Sequence, residues 1–230
     1  MRRFHDSGYG FAVLERLRVA GGMRRAADRC PVCHSTARER LVWFWLSGAD
    51  GHGVRVANGA RIAHFAPEKG LSRRLRALLG VTYRAFDVEP GRYRHLPLVE
   101  FADLSDLPLA DASIDLLVCN HVIEHVPDPA RGLREIRRVL APGATAILQV
   151  PIALAATATI EAPAEATSAE REALLGQHDH LRLYDRAGYV AALEAAGLRV
   201  DCHDAFAQAD AAATAWRLDP LEILFVCSPA

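Results

Sequence analysis

Apolar residues along this chain fall into two alternating patterns, short continuous runs and longer segments with helical spacing. Ile62–Phe65, Val81–Phe86, Ile114–Cys119, Ala144–Val150, Leu198–Cys202 and Ile223–Cys227 are short stretches rich in apolar residues, and Phe101–Leu107 reads as a further extended element. Runs of this length predict buried strands. Apart from Asp115, Ile114–Cys119 is apolar, which suits a central parallel strand covered on both faces. Between the runs, Leu71, Leu75, Leu78 and Leu79 recur at helical spacing, as do Leu133, Ile136 and Leu140 within Pro129–Leu140. Asp185–Ala196 predicts a last helix closed by Gly197 as its C-terminal cap. Strands alternating with helices imply βαβ units and a parallel sheet. The fold class is therefore α/β, a Rossmann-like, seven-stranded, mostly parallel sheet with helices on both faces.

Two regions stand outside that alternation. Residues 1–29 are polar and arginine-rich, with one apolar patch at Phe11–Leu17. Cys30-Pro31-Val32-Cys33 then reads as a tight turn, and Ser35 as the N-cap of a helix ending in Leu41–Leu46. These features mark residues 1–54 as a cap on a main domain spanning 55–230. Residues 153–177 are rich in Ala, Thr and Glu, and predict a partly helical, mobile insertion that lines a pocket together with the residues up to 180.

Composition excludes several classes of partner. The 230 residues carry 27 Lys plus Arg against 28 Asp plus Glu. That balance argues against broad electrostatic binding to nucleic acid or to an anionic membrane, and no basic stripe or aromatic ladder suggests nucleic acid. The longest uncharged stretch, Ala141–Ile160, is broken by Pro142, Gly143, Gln149 and Pro151, so it does not read as a membrane span. No apolar run and cleavage site follow Met1-Arg2-Arg3. The five cysteines are odd in number and scattered apart from Cys30 and Cys33, which implies reduced thiols in a cytoplasmic protein. Cys30 and Cys33 are half of a tetrahedral zinc site with no second pair, so a structural turn is expected and no metal.

Chemistry concentrates between Phe101 and Pro151. Ala102-Asp103-Leu104-Ser105-Asp106-Leu107-Pro108 is followed by Ser113-Ile114-Asp115-Leu116-Leu117-Val118, by Asn120-His121-Val122-Ile123-Glu124-His125-Val126 and by Arg138-Val139-Leu140-Ala141-Pro142-Gly143. In this order and spacing the block resembles the core of class I S-adenosylmethionine-dependent methyltransferases. The resemblance covers about residues 60–227 and implies S-adenosylmethionine as cofactor. It implies that Asp87, closing the second strand, accepts from the ribose hydroxyls, with Glu89 as its rival. Asp103 would accept from the adenine amino group while the Leu104 N–H faces a ring nitrogen. Asn120 and His121 would lie beside the sulfonium. Ligands in such sheets sit outside the carboxyl ends of the strands.

The nucleotide loop departs from the family's acid followed by G-x-G-x-G. The same register reads His64-Phe65-Ala66-Pro67-Glu68-Lys69-Gly70, so only Gly70 remains. Ala66 is small enough to replace a glycine, and Glu68 can pair with the ammonium of the methionine part. His64 is either a core histidine or a ligand contact. After the insertion, His178-Asp179-His180 lies where the resemblance places the acceptor pocket. A histidine there is a natural general base, so His180, His178 and His121 are the catalytic candidates. The expected function is methyl transfer to a small-molecule acceptor. Non-methyl use of the same cofactor, such as cyclisation, and a non-catalytic regulator are the alternatives. Neither the oligomeric state nor the acceptor is legible.

Overall fold

The computed structural model describes residues 3–48, 56–94, 96–205 and 214–230; the expected boundary at residues 54 and 55 lies outside them. The N-terminal part holds β1 (His5–Ser7), helix α1 (Ala12–Arg16), β2 (Val19–Ala20), β3 (Arg25–Arg29) and helix α2 (Ala37–Leu46). Then come β4 (Arg61–Phe65), α3 (Lys69–Arg76), β5 (Thr82–Asp87), β6 (Glu100–Phe101), β7 (Ile114–Asn120), α4 (Pro129–Val139) and β8 (Leu140–Gln149). The last part holds β9 (Ile152–Ala153), β10 (Ile160–Glu161), α5 (Ser168–Leu175), β11 (Arg182–Leu183), α6 (Arg186–Ala195), β12 (Leu198–Asp204) and β13 (Ile223–Pro229).

Seven strands form the main sheet in the order β12-β13-β8-β7-β4-β5-β6. The five from β8 to β6 run parallel, and β13 pairs antiparallel with both β8 and β12. The alternation of side chains along β7 explains why Leu116, Leu117, Val118 and Cys119 are all apolar, while Asp115 at its edge pairs with Arg61. Leu117 and Cys119 pack with Leu133 and Ile136 of α4 and Tyr189 and Leu193 of α6. Leu116 and Val118 face the other way, toward Leu41, Val42 and Trp45 of α2 and Leu71 and Leu75 of α3. With helices on both faces, each strand residue leaves water, a gain of roughly 1.5–3 kcal/mol per large aliphatic side chain. The order reverses at β4, with β5 and β6 on one side and β7 and β8 on the other. Such a switch point leaves a crevice outside the carboxyl ends of the strands.

Several local expectations are corrected. Helix α2 is capped by Thr36, not Ser35, because Thr36 and Glu39 form a reciprocal capping box. The third strand is only Glu100–Phe101; beyond it a turn joins Asp103 to Asp106, while Leu104, Leu107 and Leu109 are buried as loop residues. Pro142-Gly143 does not separate helix from strand. Helix α4 ends at Val139 and β8 starts at Leu140, with Gly143 at φ +77° inside it, where the register with β7 shifts.

The segment expected to be mobile is anchored. Strand β9 pairs with β2, β10 with β11, and Thr167 and Glu170 cap α5 reciprocally. Leu175 and Leu183 share a small core with Val13, Leu14 and Val19 of the N-terminal part. Gly176 is required there: its φ is +79°, and a Cβ would lie 2.3 Å from a methyl of Leu14. Arg40 fastens the N-terminal part to the main domain. Its guanidinium donates to the carbonyls of Asp28 (2.9 Å), Ser35 (2.7 Å), Trp216 (2.8 Å) and Arg217 (2.8 Å), and to Asp28 Oδ1 (2.9 Å). Among the described residues no helix is long and apolar enough to cross a membrane.

Candidate active site

The loop leaving β4 replaces glycines by two devices. Ala66 takes the left-handed backbone itself, at φ +46°, and its N–H donates to the Phe86 carbonyl at 3.0 Å. Glu68 stands at the N-terminus of α3 but does not cap it; the carboxylate turns back into the protein. One oxygen lies 2.8 Å from His64 Nε2 and the other accepts from Asn120 Nδ2 at 3.1 Å, while Arg38 Nε approaches to 4.0 Å. With Nε2 donating to Glu68, His64 Nδ1 accepts from the Tyr83 hydroxyl at 2.9 Å. Burial alone would raise the Glu68 carboxyl, but His64, Arg38 and Asn120 hold it below the ordinary value. Glu68 thus ties together β4, β7 and α2. Gly70, in the first turn of α3, sits in close quarters: a Cβ would meet Glu39 Oε2 at 3.1 Å and the Cys33 carbonyl at 3.2 Å. The Cys30–Cys33 turn, closed by Cys30 N–H to Ser35 O at 2.9 Å, is therefore pressed against α3.

Asp87 ends β5, next to this loop. It accepts from the Glu89 N–H at 2.7 Å and from the Tyr93 hydroxyl at 2.6 Å, which fixes its carboxylate at the strand end. Glu89, its rival, is exposed and pairs with Arg92 at 3.2 Å. Asp103 follows β6 and accepts from the Ser105 N–H at 2.8 Å. Leu104 is buried against Gly132 of α4. Val88 and Phe101, large apolar side chains adjoining these elements, are more than half exposed.

A cavity of about 460 Å³ adjoins the carboxyl end of β7, with walls from both ends of the chain. Ser7, Gly21, Arg25, Asp28 and Arg38 supply the N-terminal wall, and His121, Glu124, His125, Gly176 and His180 the opposite one. His121 adopts φ +54°, unusual for histidine, with its N–H donating to the Gln149 carbonyl at 2.8 Å. Strained residues of this kind gather at functional sites. Gly21, at φ +74°, makes room for the ring: a Cβ there would lie 3.0 Å from His121 Cε1. His121 Nδ1 is 3.4 Å from Glu124 Oε1, and its Nε2 is buried without a hydrogen-bond partner. Burial pushes the His121 imidazole down to about 4 and lowers that of His180 as well, so both are neutral near pH 7. Burial would raise the Glu124 carboxyl, but the surrounding imidazoles, His121 first, hold it down to about 2.

Of the three catalytic candidates, the structure brings His121 and His180 to one cavity and places His178 outside it. On a strand, residues two apart such as His178 and His180 would share one side. The backbone turns there instead, leaving the His178 side chain 62% exposed and that of His180 6% exposed. In the sequence Glu124 reads, with His125, only as support for a helix start, and Arg38 and Gly21 are not singled out. The His121-x-x-Glu124 spacing was a usable signal for the first; nothing local marked the others, which reach the cavity through the tertiary fold.

Known proteins resemble parts of this chain and its fold. The family model described as "Methyltransferase domain" matches residues 70–148. A protein of Mycolicibacterium smegmatis named a "probable S-adenosylmethionine-dependent methyltransferase" is 38% identical over 78 residues, covering 33% of this chain and 30% of that protein. The first curated relatives are matched over less than a third of their own length. The crystal structure of an S-adenosylmethionine-dependent methyltransferase from Mesorhizobium loti is 19% identical, with a TM-score of 0.57 over 83% of this chain and all of that one. The [4+2]-cyclase SpnF is 16% identical, with a TM-score of 0.51 over 96% of this chain and 97% of its own. These two structures share the fold.

Proposed function

We propose, for a chain that carries a class I S-adenosylmethionine-dependent methyltransferase domain, that it transfers a methyl group to a small polar acceptor held in the cavity beside His121. The observation that carries this reading is the placement of that cavity at the end of β7, next to the switch point, where buried polar atoms stand without partners.

The chain's residues fit the cofactor. Asn120 Oδ1 is buried with no hydrogen-bond partner, and Arg38 Nε likewise, so a ligand with an ammonium and a carboxylate would satisfy both. Asn120 and Glu68 would take the ammonium, Arg38 the carboxylate, Asp87 the ribose, and Asp103 with the Leu104 N–H the base. The left-handed Ala66 leaves the loop backbone open to close approach, as a glycine would. His64 acts through Glu68, which it orients.

When bound, the cofactor supplies an electrophilic methyl on a sulfonium. The protein's part is to hold the acceptor in line and remove its proton. His121 is the candidate to take that proton: burial keeps its ring neutral, its Nδ1 lies 3.4 Å from Glu124, and its Nε2 has no hydrogen-bond partner. His180 is a second basic nitrogen on the same wall. Asp6, Asp28, Asp219 and Glu222 with Arg25 and Arg29 bring charge to the remaining lining, which favours a hydroxylated or amine-bearing acceptor over a purely apolar one. Five free thiols suit a reducing cytoplasm.

Calorimetry with S-adenosylhomocysteine tests the cofactor half. Binding is expected in the wild type; its absence overturns the reading. Screening small hydroxylated and amine acceptors for S-adenosylhomocysteine release tests the other half, with His121→Ala expected to lower turnover by about 10²–10⁴ at unchanged cofactor affinity.

A further inference from the structure

Glu124 is the most enclosed acid of the cavity wall, with no solvent exposure, and neither of its oxygens has a hydrogen-bond partner. A buried carboxylate left so is costly unless a cation joins it. Two imidazoles face it besides His121. His125 Nε2 lies 3.9 Å and His180 Nε2 4.0 Å from Glu124 Oε1, and one ligand atom from each of Glu124, His125 and His180 lies within 4.8 Å of the others.

The orientation of His125 decides what this contact is. Its Nδ1 lies 3.1 Å from the Asp179 carbonyl, which can only accept, so Nδ1 carries the proton. In the neutral ring Nε2 then holds a lone pair, and it points at a carboxylate oxygen. Two lone pairs facing each other across 3.9 Å call for a cation between them. A ring nitrogen fixed by a carbonyl on its far side is also how metal-bound histidines are commonly held. The surroundings keep the group in place. Arg182, 6% exposed, donates to the Val126 carbonyl at 2.5 Å, and the Leu181 N–H donates to the Glu124 carbonyl at 3.0 Å. These bonds lock the Ile123–His125 turn to the segment that carries His180.

We propose that Glu124, His125 and His180 form a binding site for one divalent transition-metal ion, with the position left open by three protein ligands facing the cavity. Nitrogen and carboxylate donors suit zinc, cobalt, manganese or iron in their divalent states. Ligands about 2.0–2.2 Å from an ion stand roughly 3.3–3.6 Å apart in a tetrahedral site, so closing on it takes side-chain movements of under about 1 Å. The site is separate from the Cys30–Cys33 turn. Occupancy needs no cofactor. Its role rests on reading the cavity as the acceptor pocket: an ion there would hold an acceptor hydroxyl and ease loss of its proton to His121.

The test uses the full chain, stripped with a chelator and titrated with cobalt(II) without cofactor, read by visible absorption and calorimetry. One equivalent is expected, and the same for Cys30→Ser with Cys33→Ser. His125→Ala, at the most exposed of the three ligands, and His180→Ala should each weaken binding at least tenfold with circular dichroism unchanged. Absence of binding, meaning that a proton is the only cation between His125 and Glu124, overturns the site. So does binding that survives both histidine variants or disappears with the cysteines. S-adenosylhomocysteine binding by the stripped chain, measured in parallel, separates this outcome from failure of the methyltransferase reading.

Discussion

Glu222 offers a sharp test of the electrostatics around the cavity. It precedes β13, is 4% exposed, and its Oε1 accepts from Gln149 Nε2 at 3.4 Å. Asp219, ion-paired with Arg25, adds negative charge nearby. Burial, with that charge second among the raising influences, lifts the carboxyl from 4.5 to about 7 against the opposing pull of Arg38 and Arg25. The folded state therefore binds this proton more tightly than the unfolded chain. The associated stability is fully present below pH 4.5 and is lost as pH rises through about 7. With these two values, linkage gives a loss of about 1 kcal/mol at pH 5 and about 3 kcal/mol at pH 8, a difference of about 2–3 kcal/mol. Glu222→Gln removes the titration while keeping the size of the side chain. Urea unfolding of both proteins at pH 5 and pH 8 isolates the effect, because other titrating groups cancel in the double difference. The variant should gain about 1.5–3.5 kcal/mol over the wild type between the two pH values. A double difference below about 0.5 kcal/mol, or one of opposite sign, would show that Glu222 is ionised in the folded protein at both.

Three further outcomes are expected. Asp87→Ala should weaken S-adenosylhomocysteine binding by about 1–3 kcal/mol by leaving polar groups unpaired; unchanged affinity by calorimetry in a folded variant would remove Asp87 from the site. Gly21→Ala puts a Cβ 3.0 Å from the His121 ring at φ +74°, so it should cost at least about 1–2 kcal/mol for the backbone alone. Gly10→Ala, where nothing lies within 4 Å of the added atom, should leave the thermal midpoint nearly unchanged, and equal shifts in the two would refute the packing argument. Arg40→Lys loses the planar fork that reaches five acceptors; a loss of about 2–4 kcal/mol in chemical denaturation is expected, and one under about 0.5 kcal/mol would mean that the N-terminal part is held by other contacts.

Local sequence was sufficient for the sheet and for the residues at its strand ends. The central strands β4, β7 and β8 are rich in apolar residues because both faces of the sheet are covered there, and β7 shows this in Leu116, Leu117, Val118 and Cys119, which bury alternately on opposite sides. Asp87 and Asp103 were legible for the same reason: each lies at or just beyond the end of a strand, so its place in the chain gives its place at the sheet's edge. Boundaries shifted where side-chain hydrogen bonds competed, as at Thr36 with Glu39, or where a strand tolerated a left-handed glycine, as at Gly143. The cavity itself depended on the tertiary structure. Gly21 and Arg38 meet His121 and His180 across more than eighty residues of chain, and no periodicity records such a meeting. His178 and His180 read alike in sequence, yet a turn buries one and exposes the other. The role of Glu68 was equally hidden. A carboxylate in a glycine's place looks like damage until His64, Asn120 and Arg38 arrive from three separate elements to satisfy it. Local pattern reports what each segment must bury; which polar groups then face one another is decided only when the segments pack.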